Sequence, residues 1–169
     1  MPTGDGAERG GPRFQITEED VRRPDIVELI RTHLAFAAEV TPEGHVHALD
    51  VDGLARSGAR FYSARRDGAL MGIGAMKLVA GDPLHVEVKS MHTARAARGL
   101  GVGQALLDAL LAEARASGAL RVSLETGTMD AFAPARRLYE RAGFRTCAPF
   151  AEYSDNPFSV CMTLELRGS

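Results

Sequence analysis

Three glycines occupy every second position of the segment Arg98-Gly99-Leu100-Gly101-Val102-Gly103, which separates a strand-like segment from an apolar helical one. Each glycine costs backbone entropy on folding, and a surface turn needs one or two of them, so we expect a ligand to approach this backbone closely. The N-terminus of the following helix offers unpaired N–H groups and the positive end of a dipole. Because Arg95 and Arg98 add positive charge, residues 98–104, ending at Gln104, are predicted to bind a phosphate or pyrophosphate.

Several interpretations compete for this glycine segment. A Walker A loop requires a lysine followed by serine or threonine, which the segment lacks. A Rossmann fingerprint requires a glycine where Gln104 stands, although Glu125 imitates its ribose-binding acid. A glycine-rich turn without a ligand is the structural alternative. The pattern R-x-x-G-x-G is matched in full, and it resembles the coenzyme A pyrophosphate loop of the GNAT N-acetyltransferase superfamily.

A second motif strengthens this resemblance. The segment ARRLYERAGF, residues 135–144, resembles the family signature A-x-x-L-Y-x-x-x-G-F, and HVEVKSMHT, residues 85–93, resembles the strand before the loop. SLETGT and SDNPFSVCMTLEL resemble a bacterial single-domain subgroup of acetyltransferases. The resemblance covers about residues 14–166. It implies an α/β fold with a mixed sheet of six to seven strands and helices on both faces. It also implies acetyl-CoA as co-substrate, no metal, and transfer of acetyl to an amine through a ternary complex.

The resemblance assigns roles to residues on the strand and on the signature helix. An attacking amine must lose a proton, and the leaving thiolate should gain one. Glu87, eleven positions before the loop arginine, is predicted as general base, against a solvent-facing or arginine-paired strand residue. Tyr139 is predicted as general acid, against simple core packing. Backbone groups of Met91, His92 and Thr93 are expected to meet the pantetheine arm.

Other candidates are weaker. Phe132 stands where many family members carry an asparagine, so that contact is not carried over. Glu125 and Thr126, which end a predicted strand, and His47, which precedes the first hairpin, are substrate-site candidates. The remaining candidates are predicted to have structural roles. His45 and His47 are expected to be a loop pair without metal, and His33 a packed core histidine. Arg136 and Arg137 are expected on a solvated helix face, and Cys147 and Cys161 are expected to be non-catalytic thiols.

The elements that must position these residues follow from hydrophobic periodicity and turn signals. Residues 69–79 and 84–93 extend a hairpin begun at 60–65 into an antiparallel meander. A strand at 121–125 follows a helical crossover and should lie parallel to the third meander strand. The other predicted elements are strands at 14–17, 144–147 and 159–166, and helices at 24–39, 51–55, 103–117 and 134–142.

The length of the chain is typical of a single domain. The chain has 169 residues and a net charge of −2, so nothing points to nucleic acid or an anionic membrane. Residues 1–12 are predicted to be a disordered tail before a single domain at 13–169. Without an apolar N-terminal run, a cytoplasmic, reduced protein is expected. The resemblance implies a small-molecule or peptide amine as the acceptor, and it is compatible with a homodimer. A non-catalytic acyl-CoA sensor and a dinucleotide-binding oxidoreductase stay as alternatives.

Overall fold

A computed structural model describes residues 13–166, so the predicted tail at 1–12 lies outside the described residues. The fold alternates short helices with the strands of one sheet. Its elements are β1 (Gln15–Glu18), α1 (Pro24–Val40), α2 (Val51–Arg56), β2 (Arg60–Arg66), β3 (Ala69–Val79), β4 (Asp82–Thr93), α3 (Val102–Ala116), β5 (Arg121–Gly127), α4 (Ala133–Arg141), β6 (Arg145–Cys147) and β7 (Ser159–Glu165). No helix among them is long and apolar enough to cross a membrane.

The seven strands form one mixed sheet in the order β1-β2-β3-β4-β5-β7-β6. Neighbours pair antiparallel except β4 and β5, which run parallel on either side of the crossover through α3. The predicted meander, the parallel crossover and the α/β class are therefore confirmed. Observed boundaries differ from the predicted ones by a residue or two, mostly at strand and helix ends where fraying makes the limits ambiguous.

Helices cover both faces of the sheet, as predicted. One buried cluster joins α3 to the side of β5 that carries Val122 and Leu124. The other joins α1 to the opposite face of β3, at Ile73 and Ala75. Because side chains alternate along a strand, Ser123 and Glu125 of β5 point to the face that α1 covers. The two faces thus have different characters around β4 and β5: apolar under α3 and polar under α1.

The sheet opens between its two central strands. β4 and β5 pair at His85–Arg121, Val86–Val122 and Glu87–Ser123, and the pairing ends there, although both strands continue. Just beyond, Ser90 has φ +56°, and the register between β3 and β4 shifts nearby. Such a bulge bends a strand away from its neighbour. The resulting split connects the two faces of the sheet.

Gly72 of β3 permits the close approach of α3. A Cβ added there would lie 2.7 Å from Cγ1 of Val102 and 3.1 Å from both Cδ1 of Leu106 and the carbonyl oxygen of His92. We expect Gly72→Ala to lower the free energy of unfolding by about 2 kcal/mol, because overpacking forces the first turn of α3 outward. Denaturant midpoints would measure this, and an unchanged midpoint would contradict such tight packing.

Candidate active site

Two cavities meet at the split between β4 and β5. The larger, of about 590 Å³, runs along the glycine segment and the N-terminal end of α3. The smaller, of about 120 Å³, lies on the α1 side. Five residues line both cavities and mark their junction: His33, Met91, Phe132, Ala135 and Tyr139. The split therefore gives each face of the sheet access to the same point.

The larger cavity gathers nearly all of the predicted cofactor-binding residues. Leu100 is the exception, because it packs against the hydrophobic core and is absent from the cavity wall. The predicted residues that line the cavity are Met91, His92, Thr93, Arg98, Gly99, Gly101, Val102, Gly103 and Gln104. The end of β4, the glycine loop and the start of α3 thus form one wall of the cavity.

The three glycines of the loop are required for different structural reasons, namely backbone conformation at two positions and close packing at the third. Gly99 and Gly101 have φ of +79° and +84°, a left-handed backbone that strains other residues. Gly101 is the N-cap of α3 and offers no side chain, so the first N–H groups of the helix stay free for a ligand. Gly103 instead permits packing, since its Cβ would lie 3.1 Å from Cδ2 of Leu138. The loop fits a phosphate group, which accepts hydrogen bonds from such amides.

Glu87 lies in the smaller cavity and is 3% exposed. Its Oε1 accepts a hydrogen bond from Lys89 Nζ at 2.9 Å and another from the Tyr153 hydroxyl. Lys89 Nζ also donates to the Tyr153 oxygen at 2.8 Å. Burial raises the pKa of Tyr153, and the charge of Glu87 raises it further. Glu87 is therefore neither solvent-facing nor paired with an arginine, and its partners are a lysine and a tyrosine.

The three predicted substrate-site residues all line this smaller cavity. Glu125 is half-buried, and its side chain has no hydrogen bond within residues 13–166. Burial raises its pKa to about 7, with Glu87 adding to the effect and Lys89 opposing it. His47 packs edge-on against Tyr153, with ring centroids 5.3 Å apart. Thr126 is buried beside Glu125.

Tyr139 stands at the junction of the two cavities. Its ring packs against Phe144 at 5.9 Å, and the residue is 6% exposed. Burial raises the pKa of its phenol, and the charge of Glu125 raises it further. The phenol is therefore protonated at neutral pH and available as a proton donor. Core packing and a position at the site coexist in this residue, so the two sequence readings do not exclude each other.

The histidines show one departure from the sequence analysis. His33 is half-buried at the junction of the cavities, and its Nδ1 lies 3.1 Å from Nδ1 of His92. Burial lowers the pKa of each to about 4, so both rings are neutral at pH 7. His33 is therefore more than the packed core histidine that was predicted, because it also lines both cavities. Among residues 13–166, no three His, Cys, Asp or Glu side chains group as metal ligands.

Arg136 and Phe132 shape the loop after β5. Arg136 Nη1 donates to the carbonyl oxygens of Gly127 at 2.7 Å and Met129 at 3.0 Å. Its predicted place on a solvated helix face is therefore wrong, whereas Arg137 is exposed as predicted. Phe132 packs edge-on against Phe36 at 5.4 Å and lines both cavities. An apolar ring thus occupies the region for which the family pattern suggests an asparagine.

The cysteines face each other across β6 and β7 at register partners Cys147 and Cys161, and both are free thiols. Burial raises the pKa of both, to about 11 for Cys161. A thiol with a raised pKa is a poor nucleophile at neutral pH, because the thiolate is the reactive form. This agrees with their reading as non-catalytic.

Comparison with known proteins places this geometry in a family. A model described as the acetyltransferase (GNAT) family matches residues 26–144. The chain is 39% identical over 153 residues to YsnE, an uncharacterized N-acetyltransferase of Bacillus subtilis (strain 168), covering 90% of this chain and 100% of that protein. It is 34% identical over 151 residues to an IAA acetyltransferase of Azospirillum brasilense, covering 89% of this chain and 97% of that protein.

Solved structures share the fold over nearly the whole chain. A Klebsiella pneumoniae protein, provisionally named an acyl-CoA N-acyltransferase, is 27% identical with a TM-score of 0.74, covering 91% of this chain and 98% of its own. A Bacillus subtilis acetyltransferase, solved in complex with CoA, has a TM-score of 0.68 at 18% identity, covering 91% and 99%. With the family model matching more than half of its length, this chain belongs to the acetyltransferase (GNAT) family and is an acyltransferase that uses acetyl-CoA.

Proposed function

We propose that this acetyltransferase transfers acetyl from acetyl-CoA directly to an amine acceptor, with both substrates bound at once. The observation that carries the proposal is the position of Tyr139 where the two cavities meet. One cavity has the free amides of a helix N-terminus, and the other has two carboxylates. A thioester entering from the first and an amine entering from the second would meet beside the phenol.

The larger cavity supplies the binding groups for the cofactor. In this proposal, the amides of residues 99–104 bind the pyrophosphate, and Arg98 adds charge. The edge of β4 from Met91 to Thr93, which β5 no longer covers, offers backbone groups to the pantetheine arm. The thioester then lies near the junction, where Tyr139 can protonate the departing thiolate.

The smaller cavity supplies the groups for the acceptor. Its two carboxyl groups, Glu87 and Glu125, outnumber its one lysine, Lys89, and suit an acceptor that arrives as an ammonium ion. One of these carboxylates must take a proton from nitrogen, and the sequence prediction gives this role to Glu87. The modest volume of the cavity and its enclosure by His47 and Tyr153 favour a small amine or the end of a chain.

The test is release of free thiol from acetyl-CoA across a panel of primary amines, amino acids, polyamines and peptides. We expect at least one amine to give turnover. Glu87→Gln should lower kcat/KM for it at least tenfold, because Lys89 and Tyr153 lose the buried carboxylate that positions them in the acceptor cavity. Affinity for CoA should change less than twofold, because Glu87 lies outside the larger cavity.

The matched control is Glu165→Gln, which changes a glutamate that is exposed on β7 and paired with Arg121. This variant should retain wild-type turnover. Tight CoA binding without turnover on any amine would overturn the proposal and favour an acyl-CoA sensor.

A further inference from the structure

We propose that Glu125, rather than Glu87, accepts the proton that the acceptor nitrogen loses, an inference that rests on the proposed function. Glu87 then serves as a fixed anion that positions Lys89 and Tyr153 and attracts the ammonium form of the acceptor. The two carboxylates thereby have separate tasks in one cavity.

The sheet register places both carboxylates on the same face. Glu87 is paired with Ser123 in the last matched position of β4 and β5, so their side chains share a face. Glu125 is two residues further along β5, where alternation returns the side chain to that face. It therefore lies beyond the point where the strands separate, in the split that leads to Tyr139.

Hydrogen bonding distinguishes the two groups. Oε1 of Glu87 accepts from Lys89 Nζ and from the Tyr153 hydroxyl, and protonating this carboxylate would weaken both bonds. Within the described residues, the Glu125 side chain has no hydrogen-bond partner and lines the cavity, so both of its oxygens are available to a substrate. A proton acceptor needs a free lone pair within reach of the nitrogen. Glu125 has unbonded carboxylate oxygens and lines the cavity that the amine would enter.

Titratable groups face Glu125 from every neighbouring element. Glu87 and Lys89 lie on β4, Tyr139 on α4, Cys161 on β7 and Tyr153 between β6 and β7. The imidazoles of His33 on α1 and of His45 and His47 in the loop after α1 line the same cavity. Burial, assisted by Glu87, outweighs the attraction of Lys89 and raises the pKa of Glu125 to about 7. A general base is most effective when its pKa lies near the working pH.

The proton balance of the reaction is then closed. Glu125 takes one proton from the ammonium, and the neutral nitrogen attacks the thioester carbonyl carbon. The N–C bond forms, the C–S bond breaks, and Tyr139 gives its proton to sulfur. The second proton that nitrogen loses restores the Tyr139 phenol, and Glu125 releases its proton to water. The products are the amide, the free thiol of CoA and one proton.

The test is the pH dependence of kcat/KM for an amine acceptor, in wild type, Glu125→Gln and Glu87→Gln. Wild type should lose activity below about pH 7, tenfold per pH unit, as Glu125 is protonated. At pH 8, kcat/KM of Glu125→Gln should be at least 100-fold below that of wild type. Its pH profile should also lack the decline below about pH 7, which is the acid limb of the wild-type profile. Glu87→Gln should retain the limb and shift it to lower pH, because a charge that raises the pKa of Glu125 is gone.

An acid limb that persists in Glu125→Gln and vanishes in Glu87→Gln would overturn the inference and leave the acetyl transfer itself intact. Affinity of each variant for CoA, measured by calorimetry, shows that the variants fold. Should Glu125→Gln fail to fold, the carboxyl carbon of Glu125 in the wild-type protein can be titrated by NMR, and a pKa near 4.5 would refute the proposal. Absence of turnover in wild type on every amine would instead contradict the proposed function.

Discussion

Replacing Tyr139 with phenylalanine is expected to lower kcat by about 100-fold, the lower range for loss of a general acid. The substitution removes one oxygen and keeps the ring that packs on Phe144, so the fold should be preserved. The phenol contributes only when the C–S bond breaks, so affinity for CoA should stay within about twofold. Steady-state turnover and calorimetric titration with CoA would measure the two effects separately.

Tyr62→Phe provides the matched control. The Tyr62 hydroxyl is buried without a hydrogen-bond partner among the described residues, and it lines neither cavity. Removing it should leave kcat unchanged and should not reduce stability, since no hydrogen bond is lost. Equal losses of kcat in both variants would indicate a general effect of tyrosine removal and would exclude a specific role for Tyr139.

The second large effect concerns stability. We expect Glu125→Gln to be more stable than wild type by about 3 kcal/mol above pH 8, and equally stable near pH 4. The folded protein raises the pKa of Glu125 from 4.5 to about 7, so folding favours the protonated carboxyl. In wild type, the stabilisation that comes from the protonated carboxyl is complete below pH 4.5 and is lost as the pH rises through 7. Glutamine does not titrate and avoids the loss.

Urea denaturation of both proteins at several pH values would measure the difference directly, because other titrating groups are common to both. The result bears on function as well. A variant that gains stability at alkaline pH while losing turnover would show that the half-buried carboxylate is retained at a cost to the fold. A difference that is independent of pH would refute the raised pKa of Glu125.

Much of the fold was predictable because its signals are local. The periodicity of Leu106, Leu107 and Leu110 identifies α3, and the Asp67-Gly68 turn identifies the hairpin of β2 and β3. The spacing of glycines in residues 98–103 identified the loop, and nine of ten predicted cofactor residues line the larger cavity. In each case a short segment carries both the physical constraint and its sequence pattern.

The partners of the site residues were not predictable in this way. Lys89 could have been inferred, because alternate residues of a strand share a face. Tyr153 could not, since it reaches Glu87 from 66 positions away, out of a segment without regular structure. The contact of His33 with His92 likewise depends on how α1 crosses β4. Tertiary packing, which a periodic pattern does not encode, decides these contacts.

The opening between β4 and β5 also has a mechanical consequence. Beyond the Glu87–Ser123 pair, no backbone hydrogen bonds in the described part of the chain join the half of the sheet formed by β1–β4 to the half formed by β5–β7. A molecule that bonds to the edge of β4 and also contacts α4 would connect the two halves across this opening. A ligand that binds only the folded state in this way would stabilise that state in proportion to the logarithm of the ligand concentration. In the proposed mode of cofactor binding, acetyl-CoA would therefore link the two parts of the sheet as well as donate its acetyl group.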